Sequence, residues 1–333
     1  MSNSTTSNTK SCSTIISNIR KALTLNEDEK INSSNLETSK VSNESTISDS
    51  SSFSKDKEST QLNDYYSSFD YYQFEQNFQK YYVDSSKNNN GNYDNYVKNS
   101  LKLISLIPFR HLHISEKIEE IKKNFNSEYR KSLQTLSQSN KKLLILDIDE
   151  TLVHSDLDFA LKDKNIKYDE ILHFNSEDEK NIPLPLIIRP GTKNFLDYAV
   201  KEFDLVVFTA SDKQYADVII DHLEKDKKYF KMRFYRDHCI FIEPGLYIKD
   251  LRIFSDFKKL EDIIILDNSL FSFANQLNNG ILITSFFSDA NDTFLENVKC
   301  YLDYIKNEKD IRIINKESFR LEEIKEDIIR NDN

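Results

Sequence analysis

The chain has 333 residues, of which 38% are hydrophobic and 30% charged, and its formal net charge is −10. An acidic chain is poorly suited to neutralising nucleic-acid phosphates, so we expect no direct nucleic-acid partner. No run approaches the ~18–20 apolar residues of a membrane span, and the start lacks a hydrophobic signal core, so we expect neither a transmembrane segment nor secretion. Three widely spaced cysteines (Cys12, Cys239, Cys300) indicate reduced thiols and a nuclear or cytoplasmic protein.

Residues 1–98 are rich in Ser, Asn, Thr and acidic groups, and their large apolar side chains are sparse and aperiodic. Such a segment cannot bury enough surface to offset the entropy lost on ordering, so we predict a disordered N-terminal tail. A Tyr/Phe cluster over residues 65–72 is compatible with two readings: a docking motif, or an adhesive patch in a polar tail.

A helical extension is predicted over residues 101–139. Ile114, Ile118, Ile121 and Phe125 recur at near-helical spacing with Lys and Glu between them, which indicates one or two amphipathic helices at the edge of a domain. The run from Leu101 to Phe109 is apolar but too short to span a membrane. Its basic neighbours leave contact with a membrane surface open as an alternative.

From residue 141 onward, strand and helix patterns alternate. The amphipathic stretches between the apolar runs are opened by Thr192 and Ser211. This alternation predicts a doubly wound α/β domain over residues 140–307 with a mainly parallel sheet, followed by a helical C-terminal tail over 308–333. Four apolar runs are predicted to be its buried strands: Leu143–Leu146, Leu205–Phe208, Ile263–Leu266 and Ile281–Thr284.

An insertion after the first strand is predicted to form a β-hairpin flap. Its two strands are Tyr168–Phe174 and Ile182–Ile187, joined by a polar turn over residues 175–181. Pro183 and Pro185 cannot donate ladder hydrogen bonds, so we expect the second strand to lie at a sheet edge.

The motif D-x-D-x-T follows the first buried strand directly, as Asp147, Asp149 and Thr151. A carboxylate at the C-terminal end of a parallel strand can serve as a phosphoryl acceptor next to a bound cation. The second carboxylate, two residues on, can serve as general acid and base. The spacing alone arises by chance in acidic proteins, but the preceding apolar strand makes a phosphoryl-transfer site the better reading.

Thr209 and Lys249 are candidate phosphate-binding residues. Thr209 ends the second predicted strand before a helix, where a hydroxyl can hold phosphoryl oxygens, although taken alone it is better interpreted as a helix cap. Lys249 lies in an apolar setting and could neutralise the phosphoryl group, although a lone lysine is more often a solvated surface residue.

A Mg²⁺ site is predicted where the third strand ends in Asp267 and Asn268. Mg²⁺ prefers an octahedral shell of hard oxygen ligands and retains several waters. Asp147, the backbone carbonyl of Asp149 and Asn268 could supply three ligands, and Asp267 could supply a fourth or hold a water. Taken alone, an Asp-Asn pair at a strand end is a common turn.

The order of these motifs resembles the small C-terminal-domain phosphatases, the FCP/SCP-like family of the haloacid dehalogenase superfamily. The resemblance covers residues 141–305, about half the chain, and implies metal-dependent dephosphorylation of phosphoserine or phosphothreonine in proteins. The matching segments are Leu146–Ser155, Arg189–Gly191, Val207–Ser211, Gln214–Asp217, Phe234–Cys239, Tyr247–Leu251 and Leu266–Ser269.

The resemblance also assigns roles by position. It implies that Asp147 is the nucleophile and Asp149 the acid and base, that Thr209 and Lys249 hold the phosphate, and that Asp267 and Asn268 occupy metal positions. Tyr215 and Arg236 match residues near the family's peptide groove, and we place Ser211 and Asp212 in the same groove.

One departure from the family concerns specificity. Where the small phosphatases carry an apolar residue that helps form a proline pocket, this sequence has Asp212. This departure argues against a preference for the RNA polymerase II C-terminal domain, which we keep as one candidate substrate.

We predict a monomeric, Mg²⁺-dependent phosphoprotein phosphatase that forms a phosphoaspartyl intermediate. Two alternatives are a small-molecule phosphatase of the same superfamily and a non-catalytic binding module resembling mitochondrial import receptors. The intact D-x-D-x-T motif argues against the binding module, and an insertion too short for a cap domain argues against a small-molecule substrate.

Overall fold

The computed structural model describes residues 93–107, 113–155, 167–243 and 245–331. Residues 1–92 of the predicted tail lie outside this range. The central sheet has five strands, and every pairing within it is parallel. In spatial order these strands are β10 (Gly280–Leu282), β9 (Ile263–Asp267), β1 (Leu143–Leu146), β5 (Asp204–Phe208) and β6 (Met232–Phe234).

Helices flank this sheet and complete the predicted α/β architecture, which the structure confirms. The four residues of β1 are fully buried, because a central parallel strand is covered on both faces. No helix among the described residues is long and apolar enough to cross a membrane. The helices are α1 (Tyr93–Leu106), α2 (Ile114–Lys123), α3 (Ser127–Ser137), α4 (Thr192–Glu202), α5 (Lys213–Leu223), α6 (Phe294–Ile305), α7 (Ile311–Phe319) and α8 (Leu321–Asn331).

Helix α1 begins at Tyr93, five residues before the predicted end of the tail. Val97, Leu101 and Ile104 are buried at helical spacing, and α1 packs against α8. The start of this helix fell within the predicted tail, because polar residues separate its apolar positions there. Leu103 is also fully buried, so the described residues of the apolar run pack inside the protein. This burial argues against contact of those residues with a membrane surface. A truncation meant to remove only the tail should stop before Tyr93.

The predicted hairpin is formed by β3 (Glu170–Phe174) and β4 (Ile182–Ile188). The edge position expected for the second strand is wrong, because β4 lies between β3 and the two-residue strand β2 (Val153–His154). The physical reason is local: β2 pairs only with Ile187 and Ile188, so the prolines of β4 have a ladder partner on one side alone. A second small hairpin is formed by β7 (Ile240–Ile242) and β8 (Leu246–Ile248).

Arg189 ties the loop after β1 to the segment after β10. Its guanidinium is almost fully buried and donates to both carboxylate oxygens of Asp292, at 2.9 and 2.7 Å. It also donates to the backbone carbonyls of Thr151 and Thr284. One planar side chain therefore fixes the backbone at the end of the D-x-D-x-T motif.

Candidate active site

Asp147 lies at the C-terminal end of β1, where the strand leaves the buried sheet. Its amide still bonds to the carbonyl of Leu266, so the residue remains in register with β9. Its Oδ1 is 2.5 Å from the Lys249 Nζ, and its Oδ2 accepts a hydrogen bond from the Thr151 hydroxyl at 3.1 Å. A buried carboxylate held at both oxygens is oriented before any substrate binds.

Lys249 is buried directly after β8 and bridges two carboxylates. Its Nζ lies 2.6 Å from Asp267 Oδ2 in addition to its bond to Asp147. Burial lowers the pKa of the Lys249 amine, but the two carboxylates raise it by more than burial lowers it. The pKa therefore lies above its ordinary value and the amine stays charged. Burial raises the pKa of Asp267 to about 6.

Asp149 is held by two hydroxyl groups from the loop and helix after β5. Ser211 Oγ donates to its Oδ2 and the Tyr215 hydroxyl donates to its Oδ1, each at 2.6 Å. Burial, with help from the carboxylates of Glu150 and Asp147, raises the pKa of Asp149 to about 6, even though both hydroxyl bonds lower it. With a pKa near 6, about a tenth of the molecules carry a proton on Asp149 at pH 7, far more than for an unshifted aspartate, which favours a role as general acid.

Thr209 is buried at the end of β5, next to β1 in the parallel sheet. Its hydroxyl oxygen accepts a hydrogen bond from the backbone N–H of Ser211 at 3.1 Å. Thr209 is not the helix cap considered as the alternative from sequence, because the N-cap of α5 is Asp212 and the Thr209 bond lies in the turn before it. This bond uses an oxygen lone pair and leaves the hydroxyl proton able to point at a phosphoryl oxygen.

Asn268 follows β9 and is anchored through its amide nitrogen, which donates to Ser285 Oγ at 3.1 Å. That bond leaves the carboxamide oxygen to a cation. Asp267 uses both carboxylate oxygens within the protein, one toward Lys249 and one toward the backbone N–H of Ser269. Within the described residues, no cluster of three or more His, Cys, Asp or Glu side chains is placed to hold a metal.

A groove of about 570 Å³ adjoins Asp149 and separates the β3–β4 hairpin from the start of α5. Asp212 and Arg236 meet at its wall, where a guanidinium nitrogen lies 2.9 Å from Asp212 Oδ2. Arg236 also donates to the carbonyl of Ala210, which fixes it beside the turn after β5. The four residues predicted to bind substrate all line this groove, together with Phe174, Ser176, Glu177, Asp178 and Gln214.

Residues 142–312 match the model of a family described as NLI interacting factor-like phosphatase. The chain belongs to this family. It is a protein phosphatase of the FCP/SCP-like type, as the sequence predicted.

Two proteins of similar sequence support the assignment. The chain is 37% identical over 186 residues to CTD nuclear envelope phosphatase 1 of Xenopus laevis, which covers 55% of this chain and 75% of that protein. It is 35% identical over 199 residues to nuclear envelope morphology protein 1 of Saccharomyces cerevisiae, covering 54% of this chain and 42% of that protein. A solved structure of Fcp1, an essential RNA polymerase II CTD phosphatase, aligns with a TM-score of 0.37 and 18% identity, over 56% of this chain and 54% of that one.

Three contacts of this phosphatase were not predicted from its sequence. Ser211 and Tyr215 were expected in the peptide groove, but both also bond to Asp149. Their spacing of four residues across the start of α5 is the signal that could have suggested it, because such residues face the same side. Arg189 was noted only as part of a matching segment, and nothing local indicates its distant partner Asp292.

Proposed function

We propose that this phosphatase removes phosphate from phosphoserine and phosphothreonine side chains of proteins through a phosphoaspartyl intermediate on Asp147. The observation that carries the proposal is the pairing of two differently held carboxylates. Asp147 is bonded to the charged amine of Lys249, whereas burial raises the pKa of Asp149 despite the two hydroxyl groups that donate to it. Unequal environments of this kind assign a nucleophile and an acid.

In the first step, an Asp147 oxygen attacks phosphorus in line, and the bond from phosphorus to the substrate oxygen breaks. Asp149 gives its proton to that leaving oxygen. In the second step, Asp149 accepts a proton from water as the water attacks the phosphoaspartate, which releases phosphate and restores Asp147. Lys249, Thr209 and the backbone N–H groups after Asp147 stabilise the equatorial phosphoryl oxygens in both steps.

We propose Asp147, the backbone carbonyl of Asp149 and the carboxamide of Asn268 as the Mg²⁺ ligands, with Asp267 positioning Lys249. The donor chemistry fits, since every candidate ligand is a hard oxygen. The charge also fits, because within the described part of the chain Lys249 is the one cation bonded to both Asp147 and Asp267. When bound, Mg²⁺ would offset the remaining negative charge and polarise the phosphoryl group.

Removal of divalent metal should abolish turnover. Without the added positive charge, the carboxylates at the strand ends repel an incoming phosphate. We expect EDTA-treated protein to lose more than nine tenths of its rate on a phosphopeptide, as roughly expected for loss of a Lewis acid. Excess Mg²⁺ should restore it. Full activity in metal-stripped buffer would overturn the ligand assignment. Beryllofluoride, which mimics a phosphoryl group on Asp147, should inhibit in the presence of Mg²⁺.

We propose peptides rather than small metabolites as substrates. The groove beside Asp149 is lined by residues from the end of β3 and the turn after it, and by residues around the start of α5, so its walls are surfaces that a peptide could contact. Turnover of a phosphopeptide panel against a sugar-phosphate panel tests this at matched concentrations. Preference for the sugar phosphates would favour the small-molecule alternative, and no turnover of either panel would favour a binding module.

Asp212 should disfavour a proline after the phosphoserine, because an exposed carboxylate paired to Arg236 offers no apolar wall. Asp212→Leu should raise kcat/KM for proline-directed phosphopeptides by up to about thirtyfold, equivalent to roughly 1–2 kcal/mol of apolar contact. Asp212→Asn is the matched control, since it removes the charge without adding an apolar surface. If the unmodified enzyme already prefers the proline peptide by about tenfold, other residues form the pocket.

We propose residues 140–307 as the phosphatase domain of a monomeric enzyme that does not bind nucleic acid. Two relatives carry the nuclear envelope in their names, so we favour the nucleus or its envelope over the cytoplasm. The RNA polymerase II C-terminal domain stays a candidate substrate, since several relatives are named CTD phosphatases.

A further inference from the structure

Helix α1 reaches the active site from outside the family match, which begins at residue 142. The hydroxyl of Tyr96 donates a hydrogen bond of 3.2 Å to the backbone carbonyl of Asn268, 172 positions further along the chain. Asn268 is the residue whose carboxamide we assign to Mg²⁺. A side chain of the N-terminal helix therefore contacts the backbone of a proposed metal ligand.

The loop after β9 connects this contact to the rest of the site. Ser272, four residues after Asn268, accepts a hydrogen bond from the backbone N–H of Lys249 at 2.7 Å. Ser272 lies in the short 3-10 turn Leu270–Phe273, which is buried and against which α1 packs. Helix α1 thus supports the segment that carries Asn268 and that also bonds to the backbone of Lys249.

Asn268 is held at two points. Tyr96 fixes its peptide carbonyl, and Ser285 fixes the nitrogen of its carboxamide. A ligand that is already oriented loses less conformational freedom on binding a metal. Hydrogen bonds that hold a metal ligand in place therefore raise the affinity of the site for the metal. Removing the bond from Tyr96 frees the peptide plane next to the ligand while leaving the ligand in place.

We propose that Tyr96 is a positioning residue that sets the affinity of the site for Mg²⁺. The proposal rests on the proposed function, because it takes Asn268 as a metal ligand. Tyr96 has no role in the chemical steps. Its removal should therefore change how much Mg²⁺ is needed and leave kcat at saturating Mg²⁺ close to that of the wild type.

The test is Tyr96→Phe in the full chain, with Tyr129→Phe as matched control. Tyr129 also lies on a flanking helix, is partly buried and donates to a backbone carbonyl, that of Arg233 at 2.5 Å. Arg233 is on β6 and has no place in the metal site. We expect Tyr96→Phe to raise the Mg²⁺ concentration for half-maximal activity by about five- to tenfold. This is at or below the low end of the effects usual for residues that hydrogen-bond to a metal ligand.

Calorimetric titration of the phosphate-free protein with Mg²⁺ supplies a readout independent of turnover. Tyr96→Phe should weaken binding by the same factor, whereas Tyr129→Phe should bind Mg²⁺ as the wild type does. A thermal melt of each variant checks that both remain folded under the conditions of the titration.

Equal Mg²⁺ affinity in the two variants, with a wild type that does bind Mg²⁺, would overturn the role of Tyr96 and leave the proposed function standing. A wild type that neither binds nor needs Mg²⁺ would overturn both. A Tyr96→Phe variant with lower kcat at every Mg²⁺ concentration and unchanged affinity would also overturn it, because that pattern indicates a general structural role.

Discussion

Asp147→Asn should lower kcat to less than about a hundredth of the wild-type value, because a neutral amide cannot act as the attacking group. The change keeps the shape of the side chain. It also keeps Lys249 paired, since Asp267 lies 2.6 Å from the same ammonium group. We therefore expect a soluble, folded protein, and a thermal melt measured beside the phosphopeptide rate checks that the loss is chemical.

Asp226→Asn is a suitable control for that substitution. Asp226 is exposed, and its nearest cation is Lys193 at 3.7 Å, so loss of its charge should change neither rate nor melting. An Asp147→Asn protein that keeps more than about a hundredth of wild-type activity would rule out the covalent route. Direct attack by water, with Asp147 only binding metal, would then be the better mechanism.

Arg189→Met should lower the free energy of unfolding by about 3–5 kcal/mol, the usual cost of removing one partner from a buried ion pair. The substitution leaves Asp292 without its bidentate partner and frees the carbonyls of Thr151 and Thr284. The loss should appear in urea unfolding as a lower midpoint with an unchanged slope. Because Thr151 ends the catalytic motif, activity should also fall in the folded fraction.

Two companion variants make this result interpretable. Arg189→Lys keeps the charge but loses the planar fork, so it should be destabilised less than Arg189→Met. Arg330→Met removes an exposed arginine that pairs with Glu326 and Asp327, and should cost about 0–1 kcal/mol. If Arg189→Met unfolds no more easily than Arg330→Met, the buried network does not stabilise the fold.

The central sheet could be predicted because burial on both faces leaves a clear mark in sequence. The runs that form β1, β5 and β9 are almost wholly apolar, and each is buried in the structure. The strands β6, β7 and β8 have three residues each, too few to show a period. The first part of helix α1 fell within the predicted tail because residues 93–98 carry polar groups between their apolar ones, and the buried face is recognisable only once α8 is known to cover it.

The candidate site divides in the same way. Its carboxylates could be located because parallel strands that end together place their following residues along one edge. The bonds from Ser211 and Tyr215 to Asp149 could not, since they depend on how α5 is rotated against the sheet. The position of β4 between two partners was also hidden, because β2 has two residues and no pattern of its own.

The wide sequence separations in this site have a consequence for synthesis of the protein. Asp147 meets Lys249 across 102 positions, and Arg189 meets Asp292 across 103. A ribosome adding ~5–20 residues per second needs several seconds to produce the second member of either pair. Over that interval the nascent chain contains Asp147 but not yet Lys249. Helix α8, against which α1 packs, is synthesised later still. The catalytic site can therefore form only after most of the phosphatase domain has been synthesised.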